Sequence, residues 1–115
     1  MVGREPFIAV YMLASRKHGT LYIGVTSALI SRTAQHREGL FDGFTRKYGV
    51  NRLVWFETFN LITDAIRREK QLKKYKREWK LNLIENLNPN WDDLFPELLA
   101  APQLPSSPGV SPGDL

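Results

Sequence analysis

Phe7-Ile8-Ala9-Val10-Tyr11-Met12-Leu13-Ala14, then Ser15-Arg16-Lys17-His18-Gly19, then Leu21-Tyr22-Ile23-Gly24-Val25: this stretch decides the fold. Its opening run is apolar, rich in strand formers and set behind Pro6, the pattern of a strand covered on both faces. A polar, glycine-terminated loop and a second strand-like run follow, and a β-hairpin is the economical connection. Gly24, inside the second strand, marks a place where another backbone or a ligand comes close. Side chains alternate along a strand and directly opposed residues share a face, so register decides whether Tyr11 and Tyr22 meet. Pairing Met12 with Tyr22 separates the two phenols; pairing Tyr11 with Tyr22, or shifting from that by an even number of residues, brings them to one face.

Outward from the hairpin, Thr26 or Ser27 can cap a helix whose body runs from about Ala28 to Arg37 and stops at Gly39. Arg32 and His36 lie four apart and share one face of it. The segment from Gly39 to Asn51 holds Gly43 and Gly49 among Asp42, Arg46 and Lys47, and reads as a long connection with basic charges of its own. Arg52 to Phe59, with Val54, Trp55 and Phe56, is a third strand. A second helix starts at Asn60 or Thr63, with Ile62, Ala65, Ile66, Leu72, Trp79 and Leu83 along one broad apolar stripe. It persists to about Leu87 with a break or bend near Tyr75 to Arg77, and ends at Asn88-Pro89. Trp91, Leu94 and Phe95 then pack back on the core. From Ala101 the chain is too rich in Pro, Ser and Gly to fold alone, which divides it into a domain over 1–99 and a disordered tail over 100–115. The expected fold is α+β, a small, mainly antiparallel three-stranded sheet flanked by helices.

With 115 residues the chain has one core, and a hydrophobic fraction of 43% is enough to fill it. The absence of cysteine excludes disulfides and thiolate metal sites, so any chemistry must come from oxygen and nitrogen groups. No apolar run reaches the length of a membrane span and no signal-peptide pattern opens the chain, which points to the cytoplasm. The net charge of +4 favours polyanionic partners. Its distribution says more: Arg67, Arg68, Lys70, Lys73, Lys74, Lys76, Arg77 and Lys80 crowd one stretch, while Asp92, Asp93 and Glu97 gather near the far end. A basic helix face is usually only a solvated face.

Glu69 is the anomaly. At 3.6 residues per turn it falls inside the apolar stripe, between Ile62, Ile66 and Leu72, rather than among the basic residues. A carboxylate turned inward is costly unless it is paired, hydrogen-bonded or bound to a metal, and Arg68, Lys73 and Lys76 are within pairing distance along the helix.

The ordered set Val10-Tyr11-Met12, Tyr22-Ile23-Gly24, Arg32 and His36 resembles the GIY-YIG nuclease superfamily, most closely the small single-domain bacterial type related to the N-terminal domain of UvrC. The likeness spans about Phe7 to Phe95 and includes Gly-Phe-Thr-Arg-Lys-Tyr at 43 to 48, Arg-Arg-Glu-Lys-Gln at 67 to 71 and Asn-Pro-Asn-Trp at 88 to 91. The first triplet departs from the name-giving Gly-Ile-Tyr, so only its tyrosine carries over.

The resemblance implies a metal-dependent endonuclease acting on DNA, or on RNA, selective for structure or single strands and linked to repair or recombination. It implies that Glu69 ligates one Mg²⁺ or Mn²⁺, that Arg32 clamps phosphate oxygens, and that Tyr11 or Tyr22, foremost Tyr11, orients or deprotonates the attacking water. A phenol with its ordinary pKa near 10 is a poor base, so that role needs the metal or Arg32 to lower it. His36 is a proton shuttle or phosphate donor, and Asn88 is the nearest counterpart of a functional family asparagine. Lys47, Arg68, Lys73 and Lys74 are the candidate phosphate contacts. For all of these residues to form one site, Arg32 and Glu69 must approach the same face as the two phenols. A non-catalytic nucleic-acid-binding module on the same fold is the alternative, and a docking domain whose proline-rich tail recruits partners is a weaker third.

Overall fold

The middle strand of the sheet is β1 (Ile8–Ala14), which pairs antiparallel with β2 (Leu21–Thr26) on one side and β3 (Arg52–Phe59) on the other, in the order β2-β1-β3. The computed structural model describes residues 8–38 and 43–100. The helices are α1 (Leu29–Arg37), α2 (Phe44–Tyr48), α3 (Ile62–Lys74), α4 (Arg77–Leu87) and α5 (Phe95–Ala100). This is the α+β architecture expected from the sequence, and the third strand has the expected bounds. No helix among the described residues is long and apolar enough to cross a membrane. The Pro/Ser/Gly-rich stretch over 101–115 and the helix stop at Gly39 lie outside the described residues.

All of β1 beyond Ile8 is buried, because helices cover both faces of the sheet. Val10, Met12, Ala14, Ile23 and Val54 face Ala65 and Leu72 of α3, Ile84 of α4, and Trp91. Ala9, Tyr11, Leu13 and Leu53 face Leu29 of α1, with Leu94 and Leu98 of α5 packed alongside. A β-bulge between Met12 and Leu13 shifts the β1–β3 register, so that Met12 opposes Trp55 while Leu13 opposes Leu53. In the hairpin Tyr11 opposes Gly24 and Leu13 opposes Tyr22. That register is shifted by two from a direct Tyr11–Tyr22 pairing, so the phenols share a face.

Three expectations change. The connection before β3 is not all loop: Phe44–Tyr48 form one short helix between Gly43 and Gly49, both at positive φ (65° and 64°). The apolar stripe is much narrower than drawn, since Ala65 and Leu72 are buried while Ile62, Ile66 and Trp79 are exposed. Only one ridge of α3 meets the sheet, and the chain leaves helical geometry at Tyr75 (ψ 145°) and Lys76 (ψ 152°), which re-aims α4. Finally, no side chain caps α1; Thr26 Oγ1 instead accepts the Ala28 amide at 2.9 Å, forming a turn just before the helix.

Candidate active site

Tyr11 is held by packing. Its side chain crosses to β2 and lies over Gly24, where a Cβ would stand 2.5 Å from the phenol oxygen. The close approach expected at Gly24 is therefore made by a side chain, and it carries the Tyr11 hydroxyl towards the edge strand. There Tyr11 Oη and His36 Nε2 are hydrogen-bonded at 3.2 Å, and His36 Nδ1 meets Thr45 Oγ1 at 3.3 Å. The Tyr22 ring completes the group, with centroids 6.2 Å from Tyr11 and 5.2 Å from His36. His36 reaches this position because Leu29, Thr33 and His36 form the inward line of α1. Arg32 flanks that line, half-buried, as does Tyr22 on its strand, while Tyr11, His36 and Thr45 are buried. Thr33 Oγ1 has no hydrogen-bond partner among the described residues.

Burial dominates the electrostatics. It pushes the Tyr11 phenol well above its ordinary value of 10, Tyr22 adds to the rise, and Glu69 contributes a smaller push in the same direction. Arg32 pulls the phenol down, as expected, but is outweighed. Burial thus holds the proton on the Tyr11 phenol near neutral pH. Burial, helped by the charge of Arg32, lowers His36 from 6.5 to about 4, so the imidazole is neutral near pH 7, with one nitrogen donating and the other accepting.

Arg32 and Glu69 come from opposite sides of the sheet: α1 packs on the Tyr11 face and α3 on the Met12 face. Both charges nonetheless act on the Tyr11 phenol, because its hydroxyl sits over the edge strand. The Glu69 side chain is 16% exposed, and its Oε2 pairs with Lys73 Nζ at 3.1 Å, one of the pairings open to it from spacing. No group of three or more His, Asp or Glu among the described residues is placed to hold a metal. A single carboxylate does not make a protein cage, but it fits a hard, largely hydrated ion such as Mg²⁺.

The remaining candidates separate. Asn88 ties three segments together: its amide donates to the Val54 and Asp92 carbonyls at 3.1 and 2.8 Å, and its oxygen accepts the Asp92 amide at 3.0 Å. The residue is buried, and these three bonds close the turn after α4. Arg68 donates to Glu57 at 2.9 Å and to Gln71 at 2.6 Å, and Arg77 donates to the His18 and Gly19 carbonyls, clamping the hairpin loop. Lys47 and Lys74 are exposed, while Lys73 is shared with Glu69. Thr45 was legible only as part of the Gly-Phe-Thr-Arg-Lys-Tyr motif, and nothing in its spacing marks it as a partner of His36.

The three-stranded antiparallel sheet gathers two tyrosines and a histidine over its edge, with an arginine on α1 and a largely buried glutamate on α3, in the order of a GIY-YIG type of domain. The sequence profile of the GIY-YIG catalytic domain matches residues 7–82, and the chain belongs to that family of nucleases. It is similar to a UPF0213 protein of Clostridium perfringens, 39% identical over 77 residues that cover 67% of this chain and 82% of that one. A UPF0213 protein of Staphylococcus haemolyticus is 35% identical over 69 residues, covering 60% and 84%. Among solved structures, the solution NMR structure of a UPF0213 protein from Bacillus halodurans is similar at 28% identity and a TM-score of 0.49, covering 76% of this chain and 93% of that one.

Proposed function

We propose that this chain is a metal-dependent endonuclease that hydrolyses phosphodiester bonds in DNA, in the cytoplasm, on structured or single-stranded substrates of repair or recombination. The observation that supports it most is the convergence on one phenol: His36 bonds Tyr11 at 3.2 Å, and the charges of Arg32 and Glu69 both act on it.

Glu69 would hold one Mg²⁺ or Mn²⁺, which when bound supplies positive charge to the phosphate oxygens. The chain's own groups do the rest. Arg32, with planar donors suited to phosphate, binds the non-bridging oxygens and stabilises the charge that builds on phosphorus. Tyr22, half-buried where Tyr11 is buried, is the phenol that meets the attacking water. Tyr11 orients rather than deprotonates: it keeps its proton, shares it with His36, and fixes the ring plane against Tyr22. His36, neutral and held at both nitrogens, fixes the Tyr11 hydroxyl in place, and the proton of the attacking water leaves to bulk water on the open side of Tyr22.

The Glu69–Lys73 ion pair at 3.1 Å favours a second reading, a binding module in which the carboxylate is satisfied within its own helix. One assay separates the two. Labelled single-stranded, duplex and branched DNA are incubated with wild type and Glu69→Ala, in Mg²⁺ or in EDTA. A nuclease cuts only with Mg²⁺, and the variant loses at least about a hundred-fold in rate, the scale of losing transition-state charge stabilisation. Undiminished cutting by the variant removes Glu69 from the metal role, and binding without cutting under every condition establishes the module.

A further inference from the structure

The short helix α2 faces two ways. Thr45 points inward, 5% exposed and bonded to His36, while Phe44 and Tyr48 stand outside at 46% and 48% exposure. They lie four apart, so they project from one side of the turn, with ring centroids 5.0 Å apart and planes tilted by 51°. Arg46 and Lys47, both exposed, sit between them in sequence, and Lys47 Nζ lies 5.4 Å from the Tyr48 ring centroid. Large aromatic side chains left in water are costly unless something covers them. The two cations between them suit a polyanion carrying flat rings better than a purely apolar partner.

The position of α2 is fixed. The Val50 amide donates to the Thr45 carbonyl at 2.8 Å, and positive-φ glycines at 43 and 49 turn the chain into and out of the helix. Phe44 is one residue and Tyr48 three residues from Thr45, which touches His36, so the aromatic pair lies at the rim of the candidate site.

We propose that Phe44 and Tyr48 form a stacking platform for an unpaired base of the nucleic-acid chain, with Arg46 and Lys47 holding the phosphates that flank it. The proposal rests on the nucleic-acid reading above and narrows it: a base inside an intact duplex has both faces covered, so the platform selects single strands, flaps or frayed ends.

Binding is measured by fluorescence anisotropy in EDTA, so that no cutting is required, using labelled oligothymidylate and a blunt duplex at the same salt. Wild type is compared with Phe44→Leu/Tyr48→Leu, which keeps apolar volume and removes the rings, and with Trp79→Leu, which removes an exposed ring from α4. The double variant is expected to bind oligothymidylate about ten-fold more weakly, with the duplex within about two-fold of wild type, as loss of base stacking dictates. Trp79→Leu should match wild type. Photocrosslinking of bromodeoxyuridine-substituted oligonucleotide should label Phe44 or Tyr48. The proposal is overturned if the double variant, folded by circular dichroism, binds both probes like wild type, if it loses equally on both, or if Trp79→Leu alone causes the selective loss. Self-association of wild type that the double variant abolishes, without a change in oligothymidylate affinity, also overturns it by assigning the patch to a second copy. Selective binding without metal-dependent cutting leaves the platform standing and removes only the nuclease.

Discussion

At the scale of single residues, the site depends on one missing side chain. Gly24 is needed for space, not for backbone freedom: a Cβ there would meet Tyr11 at 2.5 and 2.6 Å, and Tyr11 is buried on all sides. The ring cannot swing away without leaving His36 or pressing on Tyr22. Gly24→Ala is therefore expected to destabilise the fold by about 1–3 kcal/mol, the usual cost of overpacking a core. It should also lower the rate of any cutting more than its effect on folding accounts for, because the displaced hydroxyl loses its bond to His36. Urea titration and single-turnover rates on the same preparation check this. An alanine variant with wild-type stability and rate would mean that Tyr11 is not held where the geometry puts it.

At the scale of elements, the segment between α4 and α5 is tied to both α1 and β3 through Asp93. Its Oδ1 accepts the Leu53 amide at 3.2 Å and the Phe95 amide at 3.1 Å, while Oδ2 pairs with Arg37 at 2.6 Å. Asp93→Ala leaves a strand amide and the first amide of α5 unpaired and is expected to cost about 2 kcal/mol, with faster hydrogen exchange in α5 and at the end of α1. Asp93→Asn should recover much of this, because an amide oxygen still accepts both bonds. None of this web was legible in the sequence, where Asp92, Asp93 and Glu97 read as one acidic cluster. What was legible follows from periodicity. Strand alternation set the condition under which Tyr11 and Tyr22 share a face, and the hairpin's pairing of Tyr11 with Gly24 is one of the even shifts that meet it. The inward tendency of Glu69 was also readable, since its side chain is 16% exposed on a basic helix. Where periodicity is too short to register, the reading failed: α2 has five residues between two glycines, so its helical turn and the inward Thr45 both looked like loop. The over-wide apolar stripe has a related cause, because projecting α3 and α4 as one helix carries an azimuth across the extended residues at Tyr75 and Lys76.

At the scale of the whole molecule, the Tyr11–His36 pair is expected to contribute a limb at each end of the pH dependence of stability. His36 is lowered from 6.5 to about 4 by burial and by Arg32. Below pH 6.5 the unfolded chain therefore takes up a proton that the folded chain refuses, so stability is complete above 6.5 and is lost as pH falls towards about 4. Tyr11 has the opposite sense, raised above its ordinary 10 chiefly by burial. Its contribution is complete below 10 and is lost as pH rises further, because the unfolded phenol ionises first. The expected profile is a plateau between about pH 6.5 and 10, with the acid limb worth on the order of 2–3 kcal/mol from His36. Glu85, held below the usual carboxylate range by Trp91 and His18, steepens the acid limb only at lower pH. Urea denaturation across this range gives the profile, and two variants assign its ends. His36→Gln, whose amide can still bridge Tyr11 and Thr45, should flatten the fall between pH 6.5 and 5 while leaving the alkaline limb. Tyr11→Phe should do the reverse, flattening the fall above pH 10. If the acid limb survives in His36→Gln unchanged, the imidazole is not the buried, neutral group described here, and its place between Tyr11 and Thr45 must be redrawn.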